Sequence, residues 1–280
     1  MSDQSASKGP EQPETSDENR VARVLFPRIL IVGAHPDDAE FHAGGLMISQ
    51  AARGSQIGIV SLTDGSAGHQ SMERASLAER RAQEAQASAD LLAAELEIWD
   101  VPDGELTPSL DNRHRLIRTI RRFRPDLLVT HRPNDYHPDH RTTAMLVQDA
   151  CYLLRVPNVT PDVAPLRRDP VVLSTADFFT RPVPFQADVV LGIDDVFESV
   201  IDLLCCHESQ VFEWLPHITD TPIAGDRREW LRKFYGARPR ALASRHASSF
   251  SYAEAFEVSE YGQRMSGREI QQRLGTSLMA

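Results

Sequence analysis

Cysteine is nearly absent from this sequence. The three present, Cys151, Cys205 and Cys206, make no Cys-x-x-Cys spacing. Adjacent Cys205 and Cys206 cannot bridge each other without backbone strain. No disulfide framework is implied, and a reducing, cytoplasmic setting is expected. Long apolar runs are missing as well; none approaches the ~20 residues that cross a bilayer. The opening Met1-Ser2-Asp3-Gln4 has neither the basic nor the apolar region of a signal peptide, so none is expected. Positive charge is in deficit, with 30 Lys and Arg against 40 Asp and Glu and a formal net charge of −10. That balance argues against nucleic acid or a membrane surface as the main partner. The local basic run Arg118-Thr119-Ile120-Arg121-Arg122 reads as a solvated helix face. Glycine motifs are lacking too. No Gly-x-Gly-x-x-Gly follows the first apolar run, which disfavours a nucleotide-dependent oxidoreductase. There is no phosphate loop and no Gly-x-Ser-x-Gly elbow.

What remains is the composition of a soluble globule, 41% hydrophobic and 25% charged over 280 residues, enough for one large domain with some elaboration. Residues 1–20 are polar and aperiodic and read as a disordered tail. The folded domain is expected over 21–266, and 267–280 reads as a polar C-terminal tail ending a frayed helix. Between the tails, strand and helix patterns alternate. Strands are expected at 28–34, 56–62, 97–99 and 126–130. Helices are expected at 41–53 (stopped by Gly54), 73–92, 111–123 (capped by Asp111) and 139–154. After Pro157 the pattern loosens, with strands at 171–173 and 189–193 and helices at 194–205 and 227–235. Such alternation with short connections means a parallel sheet covered by helices. Gly44-Gly45 is suited to close helix–sheet packing.

Two polar clusters stand at strand ends, where open α/β sheets bind their ligands. The first, Ala34-His35-Pro36-Asp37-Asp38, follows Ile29-Leu30-Ile31-Val32-Gly33. The second, His137-Pro138-Asp139-His140, follows the fourth strand. A catalytic zinc takes three protein ligands from His nitrogen and carboxylate oxygen and keeps a water. His35 and Asp38, three residues apart across the rigid Pro36, can turn to one point, and His140 is a third candidate. Asp37 faces elsewhere and is left to take a proton from the activated water. His137 stays free as an acid or oxyanion donor, and Asp139 could hold its ring in one tautomer. Taken singly, each tetrapeptide is an ordinary polar turn with an Asp cap; it is the pairing at two strand ends that points to a metal. His42, His69, His114, His217 and His246 have no companion pattern and read as surface or core residues.

These two motifs resemble those of the zinc-dependent de-N-acetylases of the PIG-L/LmbE family. Leu62-Thr63-Asp64-Gly65, Arg81-x-x-Glu84, Pro102-Asp103-Gly104, Arg124-Pro125-Asp126 and His207-Glu208-Ser209-Gln210 look like family features in the same order, from about Arg28 to Gln210. The resemblance implies a Rossmann-like α/β three-layer sandwich with a mostly parallel sheet and an elaborated C-terminal part. It implies one catalytic zinc (iron(II) or cobalt would suit the same ligands) and hydrolysis of the N-acetyl group of an N-acetylglucosamine-type sugar or conjugate. Carried over, His35, Asp38 and His140 match the metal ligands and Asp37 the general base. His137 matches the residue that steadies the oxyanion or protonates the amine, and Asp139 its partner. Asp64, Arg81, Arg132 and His207 are the candidates for substrate contacts. One departure is Ala39, where many members carry Glu directly after the two Asp; here Glu40 follows. A homo-oligomer is compatible with the sequence. Two other readings share these residues: a hydrolase of another amide or ester, and a non-catalytic carbohydrate-binding protein on the same fold. The presence of both Asp37 and His137 weighs against the second.

Overall fold

The computed structural model describes residues 26–247 and 249–275. The expected N-terminal tail and the domain start near Val21 lie outside the described residues. The central strand β1 (Arg28–Gly33) alternates its side chains between two cores. Ile29 and Ile31 enter one, Leu30 and Val32 the other, and all four are buried. A strand covered on both faces carries no polar alternation, which is why it stands out in the sequence as an unbroken apolar run. Each such side chain contributes roughly 1.5–3 kcal/mol by leaving water.

β1 pairs in parallel with β2 (Gln56–Ser61) and with β4 (Leu127–Thr130), placing Ile31 opposite Ile59 and Val129. β3 (Glu95–Ile98) and β5 (Val171–Thr175) extend the parallel sheet outward on either side. Two antiparallel strands complete it: β6 (Val189–Gly192) at the edge, and β7 (Ala253–Val258) between β5 and β6, in the order β3-β2-β1-β4-β5-β7-β6. The mostly parallel α/β architecture is as expected. β7 is additional, because Glu254 and Glu257 interrupt its apolar pattern.

The helices are α1 (Asp38–Ala51), α2 (Arg74–Leu91), α3 (Leu110–Phe123), α4 (Pro138–Cys151), α5 (Phe197–Cys206), a single turn α6 (Leu215–Ile218), α7 (Arg227–His246) and α8 (Gly267–Arg273). α3 and α4 pack on one face through Leu116, Ile120, Leu146 and Val147. α1, α5, α7 and α8 cover the other through Leu46, Val200, Leu231 and Ile270.

Several local expectations change. The cap of α3 is Ser109, whose hydroxyl accepts from Asn112 N at 3.1 Å, and not Asp111. Arg121 is not on a solvated face. It is fully buried, and its guanidinium donates to the carbonyls of Leu153, Leu154, Val156, Val159, Thr160 and Val163 and to the Thr160 hydroxyl. α7 runs on through Pro239 to His246. Residues 267–275 are not a loose polar tail: a Ser266–Glu269 capping box starts α8, and Ile270 and Leu274 are buried in the core. Gly44 and Gly45 do serve a close approach, to α5 and to the end of β6. A Cβ there would come within 2.9 Å of Val200 and 2.4 Å of Ile193.

α1 is also broken. Ala43 leaves helical geometry (φ −145°, ψ 20°), so a second N-terminus begins at Gly44. Glu254, reaching across from β7, accepts from Gly45 N at 2.7 Å and Leu46 N at 2.9 Å. Burial pushes the Glu254 carboxyl up to about 7, against the pull of those two amides.

Candidate metal centre

The first motif is a tight turn off the end of β1. Gly33 is required there, since a Cβ would lie 2.8 Å from Asp38 Cβ. Asp38 folds back over the turn, its Oδ2 accepting from Ala34 N at 2.8 Å and His35 N at 2.7 Å. Asp37 is held at φ 125°, a left-handed conformation that a non-glycine residue keeps only under strong local constraint. The second motif starts α4. Pro138 fills its first turn, and His137 Nδ1 accepts from Asp139 N at 3.2 Å.

The two turns meet. His35 Nδ1 lies 3.3 Å from His140 Nε2. Asp38 Oδ2 is 3.5 Å from the first nitrogen, and its Oδ1 is 3.4 Å from the second. Each imidazole is gripped on its far side by carboxylates: His35 Nε2 is 3.1 Å from Asp103 and 3.3 Å from Asp139, and His140 Nδ1 is 3.0 Å from Asp135. With their ring protons on the far nitrogens, the tautomer a bound cation requires, both imidazoles would turn a lone pair towards the Asp38 carboxylate. Ligands at 2.0–2.1 Å around a tetrahedral ion are about 3.3–3.4 Å apart. The donor set and its spacing fit a divalent cation, and the carboxylates behind each imidazole are the usual support for a ligating histidine.

His131 stacks on His140 with ring centroids 4.0 Å apart and places Nε2 3.1 Å from Asp38 Oδ2. Asp38, His131 and His140, or His35, His137 and His140, also form compact donor groups. Burial alone would raise the Asp38 carboxyl; His140 and His131 overcome that and hold it well below the usual range. Burial lowers His140, but Asp38 and Asp135 push it up to about 9. The cluster as a whole attracts positive charge.

Asp37 stands beside this cluster, paired with Arg81 Nη2 at 3.1 Å. Arg81 is itself buried and donates to Gly65 O at 2.8 Å and Pro36 O at 2.5 Å. Burial pushes Asp37 up to about 6, with Arg81 opposing. His137 is lowered by burial and then by His35 and His140, so its ring is neutral at pH 7.

These side chains floor a pocket of about 620 Å³ whose walls are largely apolar, with Phe41, Trp214, Leu215, Ile218 and Phe234 among them. Of the four residues expected to touch substrate, only Arg81 reaches it. Asp64 accepts from Ser66 N and Asp103 N and shapes a turn. Arg132 is buried against Asp177 (2.7 Å) and Glu257 (3.3 Å). His207 is fully buried beside Glu40, at 3.2 Å. All three are corrections: buried carboxylates and backbone groups within the fold had first claim on them. Asp139 is a correction too. Its carboxylate serves His35 and accepts from Gly104 N at 2.7 Å; only its backbone N–H meets the His137 ring. The sequence reading gave no metal-centre role to Asp103, Asp135, His131 or His42; the segment 130–136, with His131 and Asp135, was expected to form part of a substrate rim. The first three flank the recognised motifs and strand ends, which was the available signal. His42, which also lines the pocket, lay one helical turn after Asp38.

Residues 30–151 match the GlcNAc-PI de-N-acetylase (PIG-L) family. That match and the relatives below support the resemblance to the PIG-L/LmbE deacetylases. It is 28% identical over 202 residues to the diacetylchitobiose deacetylase of Thermococcus kodakarensis, covering 68% of this chain and 74% of that one. It is 26% identical over 193 residues to the 4-oxalmesaconate hydratase of Pseudomonas putida, covering 66% and 74%. Its fold is similar to that of the N,N'-diacetylchitobiose deacetylase from Pyrococcus horikoshii, with a TM-score of 0.68 at 22% identity over 84% of this chain and 85% of that one.

Proposed function

We propose that this protein is a metal-dependent hydrolase that removes the N-acetyl group from an N-acetylglucosamine-type sugar or conjugate. The observation that carries the reading is the convergence of His35 Nδ1 and His140 Nε2, 3.3 Å apart, on the Asp38 carboxylate, whose Oδ2 is 3.5 Å from the first and Oδ1 3.4 Å from the second, with Asp37 left over. His35, Asp38 and His140 would hold the ion, zinc or another divalent metal such as iron(II). When bound, it supplies a Lewis acid that acidifies water and polarises a carbonyl.

The chain's own groups supply the rest. Asp37 takes the proton from the attacking water. Its carboxyl, raised to about 6, is basic enough to accept that proton and acidic enough to return it to the departing amine. Arg81 fixes Asp37 in place through two backbone carbonyls, so the base is oriented before substrate arrives. The neutral His137 ring, its Nδ1 occupied by a backbone N–H, presents Nε2–H as a donor to the developing oxyanion. Asp139 and Asp103 orient His35, and Asp135 orients His140.

The test pairs metal analysis of the purified protein with acetate release from N-acetylated amino sugars, diacetylchitobiose among them. Acetate and free amine should appear in equal amounts and disappear on chelation. A metal-loaded protein that releases no acetate from any of them overturns the reading. A second reading, water addition, is favoured by the similarity to the Pseudomonas putida hydratase; hydration of a substrate without acetate release would select it.

A further inference from the structure

Arg238, on α7, lines the same cavity as His35, His137 and His140. Its position is unusual for a guanidinium. Nη2 donates to Ala176 O, and the group lies 5.3 Å from the Phe178 ring centroid. Of the five N–H donors a guanidinium offers, the described residues use one. Among the described residues no carboxylate lies within ion-pair distance of it, although acids are near. Each nearby acid is committed elsewhere: Asp135 to His140, Asp177 to Arg132, and Glu254 to the amides of Gly45 and Leu46. The contrast with the other pocket arginine is direct, since Arg81 is spent on Asp37, Gly65 and Pro36. A largely desolvated cation is costly unless it is paired, and a guanidinium fork presents parallel donors matched to the two oxygens of a carboxylate or phosphate. The partner missing from the protein is supplied when the pocket fills.

We propose that Arg238 reads an oxyanion on the substrate, so that the preferred substrate is an N-acetylated amino sugar bearing a carboxylate or phosphate rather than a neutral one. This rests on the deacetylase reading and adds the charge of the substrate to it. The anionic group sits on the α7 side of the pocket, with the acetamide at the His35–His140 floor.

The test compares acetate release by the metal-loaded protein from the methyl glycoside of N-acetylglucosamine, its carboxymethyl glycoside and its 6-phosphate. The wild-type ratio of kcat/KM, anionic over neutral, should be about 30 for at least one anionic sugar, the scale of one charge-assisted bidentate contact. In Arg238→Gln that ratio should collapse towards one, chiefly through KM; in Arg238→Lys part of it should survive. Whichever anion is favoured separates carboxylate from phosphate. A wild-type ratio of one or less overturns the inference without any variant, as does an Arg238→Gln protein that slows all three sugars alike. Calorimetry with the corresponding free-amine glycosides asks the same question without turnover: an anionic amine that binds no tighter than the neutral one overturns the inference, whatever the acetate assay shows. Acetate release from the neutral sugar alone would leave the deacetylase reading standing and remove only the charge preference.

Discussion

Arg121 and the His35–Asp38–His140 cluster are both buried and polar, yet they differ in how completely the protein satisfies them. The Arg121 guanidinium meets six carbonyls and a hydroxyl, every nitrogen engaged, and so ties the segment after α4 to α3. The cluster is left incomplete. Two imidazole nitrogens and a carboxylate crowd one point, His42 Nδ1 and His131 Nδ1 have no hydrogen-bond partner among the described residues, and Asp37 sits in a strained turn. Buried polar groups are normally paired. Saturation therefore marks a structural device, and incompleteness marks a place kept for something else. On that distinction, substitutions in the cluster should strike chemistry, and substitutions at Arg121 should strike stability.

The largest effect is expected at Asp37. Asp37→Asn should lower kcat about 10³-fold, the scale of a lost general base, with metal content and melting temperature unchanged. A variant that also loses metal would show that Asp37 belongs to the ion and break the division of roles. Asp135→Asn, which removes the negative charge behind His140 while keeping an oxygen to accept from His137 N, should weaken metal affinity by about 10–100-fold, read by competition with a chelator. Arg121→Met should leave metal affinity intact but destabilise the fold by about 3 kcal/mol, several carbonyls losing their donors at once, read by denaturant titration; unchanged stability would erase the comparison.

The smallest effect is a pH dependence at Glu254. Its folded carboxyl holds a proton up to about pH 7, whereas an unfolded one does so only to about 4.3. The folded state therefore binds more protons between those values. The stability this confers is complete below the lower value and is lost as pH rises through the upper. The difference in melting temperature between wild type and Glu254→Gln should shift in favour of the variant between pH 5 and pH 8.

The parallel sheet and the two motifs were legible because each is local. β1 is a continuous apolar run, the first motif directly follows it, and the second is a four-residue signature at the start of α4. What could not be read depends on which side chain wins a buried partner. Asp139 was expected to serve His137, but the entry of the chain into α4 aims it at His35. Arg132 and His207 have the chemistry of substrate contacts and are taken up by Asp177 and Glu40. β7 was hidden because Glu254, placed where a strand should be apolar, answers to amides that lie two hundred residues away in sequence.

That long reach bears on how the molecule comes to life during synthesis. The helix that begins at Asp38 has its second half capped by a residue near the other end of the chain. On a ribosome, the histidines and aspartates emerge early, but the segment beneath them lacks its brace until position 254 has cleared the exit tunnel. The stretch that the family match covers, 30–151, thus holds the reactive groups without the means to set them, and a nascent chain halted before β7 should be unable to capture an ion.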